Sequence, residues 1–159
     1  MGRTQVRSQL VSFLATGSGL DAVLSTMPKV LDFEQYATVG AASRAVGVVL
    51  ILGDHEMRIA IGGAHSGWKR TDFDVVVQVF HHSVEPDATA AMTDLDSRID
   101  TLKAKLRSDH NFGDTTGTLV WQGAEPIIDG AYGEPMLDDY GAVESWAEVR
   151  FTVTQMVQA

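Results

Sequence analysis

The chain has no cysteine among its 159 residues. That excludes a disulfide framework, a thiolate nucleophile and any zinc site built on sulfur, and it leaves stability to packing or to partners. Bases are also scarce: 12 Lys and Arg stand against 21 Asp and Glu, for a formal charge of −9 and a pI near 4.8. General adhesion to nucleic acid or anionic lipid rests on neutralising phosphate with Lys and Arg, so that class is excluded as well. Long hydrophobic runs are missing. The longest, Ala45 to Leu52, is well short of the roughly 18–20 residues that cross a bilayer. Near the N-terminus, Ser12, Thr16 and Ser18 break up what would be a signal-peptide core, and Val6 stands where a myristoylation signal has Ser or Thr. The expected location is the cytosol in which the chain is made, with no membrane partner.

What is present suffices for a core. Hydrophobic residues make up 45% of the chain, and no internal repeat or composition shift divides it, so one domain over residues 1–159 is expected. Val6, Leu10, Phe13 and Leu14 recur at helical spacing from Arg3 to Thr16, and Gly17-Ser18-Gly19 stops that helix. Leu20 to Thr26 reads as weakly helical or irregular, and 27–44 as a long irregular stretch with one short strand. The β-branched run Ala45 to Leu52 suits a strand buried on both faces. Gly53-Asp54 then reads as a turn, with Glu56 to Ile61 returning as the second arm of a hairpin. After a loop at 62–69, Arg70 to His82 forms a long strand with Phe73, Val75, Val77 and Val79 on one face.

Pro86-Asp87 opens the clearest element, a helix running to about Ser108, in which Met92, Leu95, Ile99, Leu102 and Leu106 recur every three or four residues. Asp87 is placed to cap it, and bases gather in its last turns where the helix dipole favours them. Burying those side chains at about 1.5–3 kcal/mol each supplies on the order of 10 kcal/mol before entropy is charged against it, so the helix must lie on the sheet. Thr118 to Gln122 reads as a short strand. A Gly- and Pro-containing loop spans 123–142, and Ser145 to Val157 alternates as an amphipathic closing strand. The fold class is α+β: a mixed, mainly antiparallel sheet packed against a long helix and an N-terminal helix.

Candidate chemistry is thin. His55, His65, His81 and His82 invite a metal reading, but neighbours on a strand point to opposite faces, so His81 and His82 cannot both enter one site without a bulge; surface histidines at a strand end are the favoured reading. His55-Glu56 begins like a zinc-protease helix, yet position 59 is Ile and the segment is a strand. Asp114-Thr115-Thr116-Gly117 has one residue too many for an aspartic-protease turn and no second copy. Gly62 to Gly67 lacks the Lys-Ser/Thr of a phosphate loop and leads into a strand. Glu125, Asp129, Glu134, Asp138 and Asp139 do not follow the calcium spacing of an EF-hand, and Ser145 lacks the glycines of a nucleophile elbow. No catalytic residue, cofactor or metal is assigned. What remains is a surplus of apolar side chains in loops: Trp68, Ile127, Ile128, Tyr132, Met136, Leu137 and Tyr140 are candidate interface residues, because interfaces favour Tyr, Trp and Met. The alternative is that these loops fold back over their own sheet.

The order of these parts, an N-terminal helix at Arg3 to Leu14, a strand pair at Leu50 to Ile61, a long strand at Phe73 to Phe80, the helix with Leu95, Ile99 and Leu102, a variable acidic loop and a closing strand at Val149 to Val153, resembles the tail terminator proteins of long-tailed (siphovirus-like) bacteriophages. The resemblance is one of layout over nearly the whole chain. It implies a virion protein that is not an enzyme: a homohexameric ring that caps the tail tube, ends its polymerisation and forms the head-tail joining surface. The implied partners are the chain itself, the tail tube protein and the head-connector or stopper protein. DNA would pass through the channel without specific binding, and six copies at −9 each would line its path with charge that repels phosphate. A long edge strand such as Arg70 to His82 or Ser145 to Val157 would be covered by a neighbouring subunit. The alternatives are another neck or tail tube component, or a small ligand-binding or enzymatic α/β domain using the Gly62 to Gly67 loop and nearby histidines.

Overall fold

Three long strands carry the structure. A computed structural model describes residues 2–36, 40–59, 67–116, 119–121 and 128–158. In chain order the elements are α1 (Arg3–Leu14), β1 (Ala22–Leu24), a 3-10 turn (Phe33–Tyr36), β2 (Ser43–Ile59), β3 (Trp68–Ser83), α2 (Ala88–Arg107), β4 (Leu119–Trp121), β5 (Asp129–Tyr132), β6 (Met136–Leu137) and β7 (Val143–Gln158). The sheet runs β1-β2-β3-β7-β4, with β5 and β6 also paired to β7. Among the described residues only β1 and β2 are parallel; the other pairings are antiparallel. The class is α+β with a mixed, mainly antiparallel sheet.

Alternation along β3 and β7 decides where the helices go. Val75, Val77 and Val79 stand opposite Phe151, Val149 and Ala147, and all point to the face on which α1 and α2 lie. From above, Leu95, Ile99, Leu102 and Leu106 of α2 and Val6, Leu10 and Leu14 of α1 close that core without exposure. Asp87 caps α2 as its position predicts, its Oδ1 accepting from the N–H groups of Thr89 (2.9 Å) and Ala90 (3.2 Å). Phe112 seals the end of the core: its ring meets Phe13 edge-on at 5.9 Å and Phe151 at 6.1 Å. Its φ of 52° is the strained left-handed region, held by Asp109, whose carboxylate accepts from the N–H groups of Asn111 and Gly113.

Several expectations are corrected. Gly53-Asp54 is not a turn. Leu52 forms a bulge between the pairs Ile51–Val75 and Gly53–Asp74, and β2 continues for 17 residues to pair with β3 along its whole length. A bulge absorbs one residue and reverses the alternation, so the polar insertion that looks like a turn is a change of phase within one strand. Leu20 to Thr26 contains the parallel strand β1, anchored by Asp21, whose carboxylate accepts from the Ala45 N–H (2.7 Å). The stretch 27–44 holds the 3-10 turn, and β2 already starts at Ser43; loop 62–69 ends at Gly67, because β3 starts at Trp68. Within 123–142, β5 and β6 form a ribbon along β7. With β3 between β2 and β7, and β7 flanked by β4, β5 and β6, neither long strand is an open edge needing a neighbouring subunit. Turn chemistry explains Asp114-Thr115-Thr116: the Asp114 carboxylate accepts from the N–H groups of Thr116 and Leu119, leading into β4.

Because Leu95 lies wholly inside the α2–sheet core, Leu95→Ala is expected to cost about 2–5 kcal/mol in urea unfolding. A loss under about 1 kcal/mol would mean that α2 is not seated on the sheet as described.

Candidate assembly surface

The ribbon β5–β6 and its turn into β7 carry most of the sequence-selected interface residues. Tyr140 is 96% exposed, Met136 67%, Leu137 66% and Tyr132 44%. Exposure on this scale in apolar side chains grouped within one short segment is unusual for an ordinary surface. The turn itself is firm: Asp138 Oδ1 accepts from the N–H groups of Tyr140 and Ala142, both at 2.9 Å, and Gly141 takes a φ of 81°. Ile128 departs from the expectation, since it packs partly buried against the core. Ile127 lies outside the described residues. Trp68 pairs with Gln158 at the far end of the sheet, eleven β3 positions from Val79, which stands in line with Ala147 and Tyr132. At about 3.3 Å per residue that is a separation of roughly 36 Å. The exposed candidates therefore gather at one end of the sheet, and the half-buried Trp68 stands at the other.

Sequence reasoning missed Trp146. It projects from β7 on the face away from the helices and is 44% exposed. With Leu31, Phe33, Phe80 and Met136 it lines a groove of about 300 Å³ next to the ribbon. Its signal was available: a Trp on the polar face of an amphipathic strand, level with Phe80 on the partly apolar face of its neighbour. Gly133 makes room for the indole, because a Cβ there would fall 2.0 Å from Trp146 Nε1.

On the helix side of this same end lies a polar clamp. Asp94 of α2 accepts at Oδ2 from Ser43 Oγ (2.7 Å), His81 Nε2 (2.7 Å) and Arg98 Nε (2.9 Å). Arg98 in turn donates to the Gly19 carbonyl (2.8 Å), to Asp21 Oδ2 (3.2 Å) and to Ser43 Oγ (3.1 Å). Gly19 has a φ of 78° and lies so close to α2 that a Cβ would come within 3.0 Å of Thr101 Cβ. On the far side of the imidazole, His81 Nδ1 is 3.2 Å from Ser145 Oγ. His81 is fully buried, which corrects the reading of it as a surface histidine. Burial pushes the His81 pKa down, and the Asp94 contact only partly offsets it. The ring is therefore neutral near pH 7, donating from Nε2 to Asp94 and accepting at Nδ1 from Ser145. Burial pushes the Asp94 carboxyl up, but its bonds to Ser43, His81 and Arg98 prevail and hold it at about 2.

Ser145, His81 and Asp94 have the composition of a nucleophilic triad. Here Ser145 is buried beneath α2, and Asp94 is committed to Arg98 and Ser43, so as packed the set is a tie between helix and sheet. Among the described residues the histidine cluster is not assembled. His81 and His82 face opposite sides of β3, His55 pairs with Asp72 about 33 Å down the strand, and His65 lies outside the described residues. The loop acids also diverge: Asp129 pairs with Arg150 while Asp138 turns toward His82 and Glu144, and Glu125 is outside the described residues. Residues 62–66, in the glycine loop whose sequence does not fit a phosphate loop, are outside as well.

A histidine whose folded pKa lies below its unfolded value of about 6.5 is protonated more readily in the unfolded chain. Its contribution is thus complete above about pH 6.5 and is lost as the pH falls below it. The Asp94 contribution persists down to its unfolded value of 3.8 and fades as the pH approaches about 2. The melting temperature should fall between pH 7 and 5, and His81→Gln should flatten that fall; parallel pH profiles would remove His81 as its cause. Asp94→Ala, which strands the His81 donor, should cost about 1–3 kcal/mol at pH 7 by denaturant unfolding.

No helix among the described residues is long and apolar enough to cross a membrane. Compared with protein-family models and with curated proteins, the sequence matches no family model and no curated protein.

Proposed function

We propose that this chain is a structural virion protein: a tail-terminator-like subunit that closes into a ring, six copies in number, caps the tail tube of a long-tailed bacteriophage and presents the surface to which the head connector or stopper docks. The observation that carries the reading is the ribbon from Tyr132 to Tyr140. It exposes two tyrosines, a methionine and a leucine on and beside a firmly hydrogen-bonded turn at one end of the sheet, while the half-buried Trp68 stands at the other end. Two unlike surfaces on one subunit suit head-to-tail contacts, which close into a cyclic assembly when the rotation permits. Subunit contact then falls on these side chains and not on β3 or β7 as edges. Glu134, Asp138, Asp139 and Glu144 surround the apolar side chains, so the matching surface is apolar at its centre with bases at its rim. The order of N-terminal helix, long strand, α2 and closing strand supports the choice of a terminator, although the strand pair expected at Leu50 to Ile61 belongs to the single strand β2, and the −9 charge of each copy suits a channel along which DNA slides without binding. In this reading the chain acts in the virion neck after being made in the bacterial cytoplasm.

Deleting the coding sequence from its phage should give overlong or unjoined tails in electron micrographs; normal virions would overturn the proposal. Complementation refines it. Met136→Asp and Tyr140→Asp should change the stability of the isolated subunit by no more than about 0.5 kcal/mol and still fail to restore capped, joined tails. Normal rescue by both would show that the ribbon is not the contact, and normal rescue by Trp68→Ala would remove the second surface. A tail tube subunit, the nearest rival, would instead stack into long tubes.

A further inference from the structure

On the face away from the helices, His82 of β3, Glu144 of β7 and Asp138 of the β6–β7 turn converge. One ring nitrogen of His82 and one carboxylate oxygen from each acid lie within 4.8 Å of one another. We propose that these residues form a binding site for a single divalent first-row transition ion of the zinc type. The inference does not rest on the assembly reading, although Asp138 and Glu144 also belong to the acidic rim of that surface.

Two of the three donors are oriented before an ion arrives. His82 and Glu144 are directly paired across the β3–β7 ladder, on the same face of the sheet. The His82 ring is stacked on Phe33 at 5.3 Å, and its Nδ1 is buried without a hydrogen-bond partner among the described residues. An orphaned ring nitrogen of this kind is costly unless something engages that atom. Asp138 spends Oδ1 on the turn, accepting from Tyr140 and Ala142, which leaves Oδ2 for a ligand. Two carboxylates this close repel one another. Arg44, in register with His82 from β2, supplies one nearby positive charge, so two anions against one cation still leave the place net negative. An imidazole with two carboxylates suits zinc better than the all-oxygen shells of magnesium or calcium. Bonds of about 2.0–2.2 Å require the donors to close by roughly an ångström, within reach of the exposed Glu144 side chain, and leave one position for water. A bound ion would clamp the β6–β7 turn, and with it Met136 and Tyr140, to β3.

The test is equilibrium dialysis of the full chain against Zn²⁺ alone, paired with thermal melts and with the visible spectrum of Co²⁺ bound in its place. One Zn²⁺ per chain and a raised melting temperature are expected. Asp138→Asn keeps the Oδ1 acceptor of the turn and removes only the anionic ligand, and Glu144→Gln alters an exposed side chain, so both should fold as the parent. Each should weaken Zn²⁺ binding by about 10- to 100-fold or more and abolish the Co²⁺ spectrum, while His110→Gln, on the far connection after α2, should leave both unchanged. Absence of Zn²⁺ binding, binding that survives Asp138→Asn and Glu144→Gln, or binding lost in His110→Gln would each overturn the site.

Discussion

Asp94 and Arg98 stand one turn apart on the half-buried flank of α2, where the protein replaces part of the water around each charge. Their placement is tenable because the surrounding elements fill their hydrogen-bonding positions: Ser43 from β2, His81 from β3, and Gly19 and Asp21 from the connection that becomes β1. Ser145 of β7 joins through the second nitrogen of His81. Apolar packing by Leu95, Ile99, Leu102 and Leu106 drives α2 onto the sheet but is tolerant of small slides. The clamp is directional, so it sets which turn of the helix lies over which pair of strands.

That registration matters because the clamp and the ribbon share one end of the sheet. His81 pairs with Ser145, and the next residues along, His82 and Glu144, sit on the opposite face beside the turn that carries Met136 and Tyr140. Each strand thus sends one residue inward to tie down the helix and its neighbour outward to the surface. A surface used for docking gains affinity when it is rigid before contact, and here the rigidity comes from the buried side of the same strands.

Elements with a strong period were legible in the sequence: α2 with its Asp87 cap, the inward faces of β3 and β7, and α1. What failed was local. β1 has three residues and no alternation to detect, and it exists because Asp21 and Ala45 hydrogen-bond each other and a neighbouring strand is already in place. The bulge at Leu52 mimics a turn because a strand that changes phase and a strand that ends both interrupt the apolar pattern. β5 and β6 were hidden by Gly and Pro, which mark edge ribbons as readily as loops. The opposite facing of His81 and His82 followed from strand geometry alone. Their partners did not: Ser145 is 64 residues from His81 in sequence, and only the β3–β7 pairing brings them together. The ribbon residues were identifiable as surplus apolar side chains, and Trp146 as the one large apolar side chain on the outward face of the start of β7, whereas Ile128 turned inward.

The central claim is that a subunit with two unlike surfaces closes on itself. Sedimentation velocity of the purified full chain over a wide concentration range tests this most directly. The account predicts a concentration-dependent shift from monomer to one discrete closed species with the mass of six subunits and nothing larger. A monomer at every concentration, or a polymer that lengthens without limit, would contradict it.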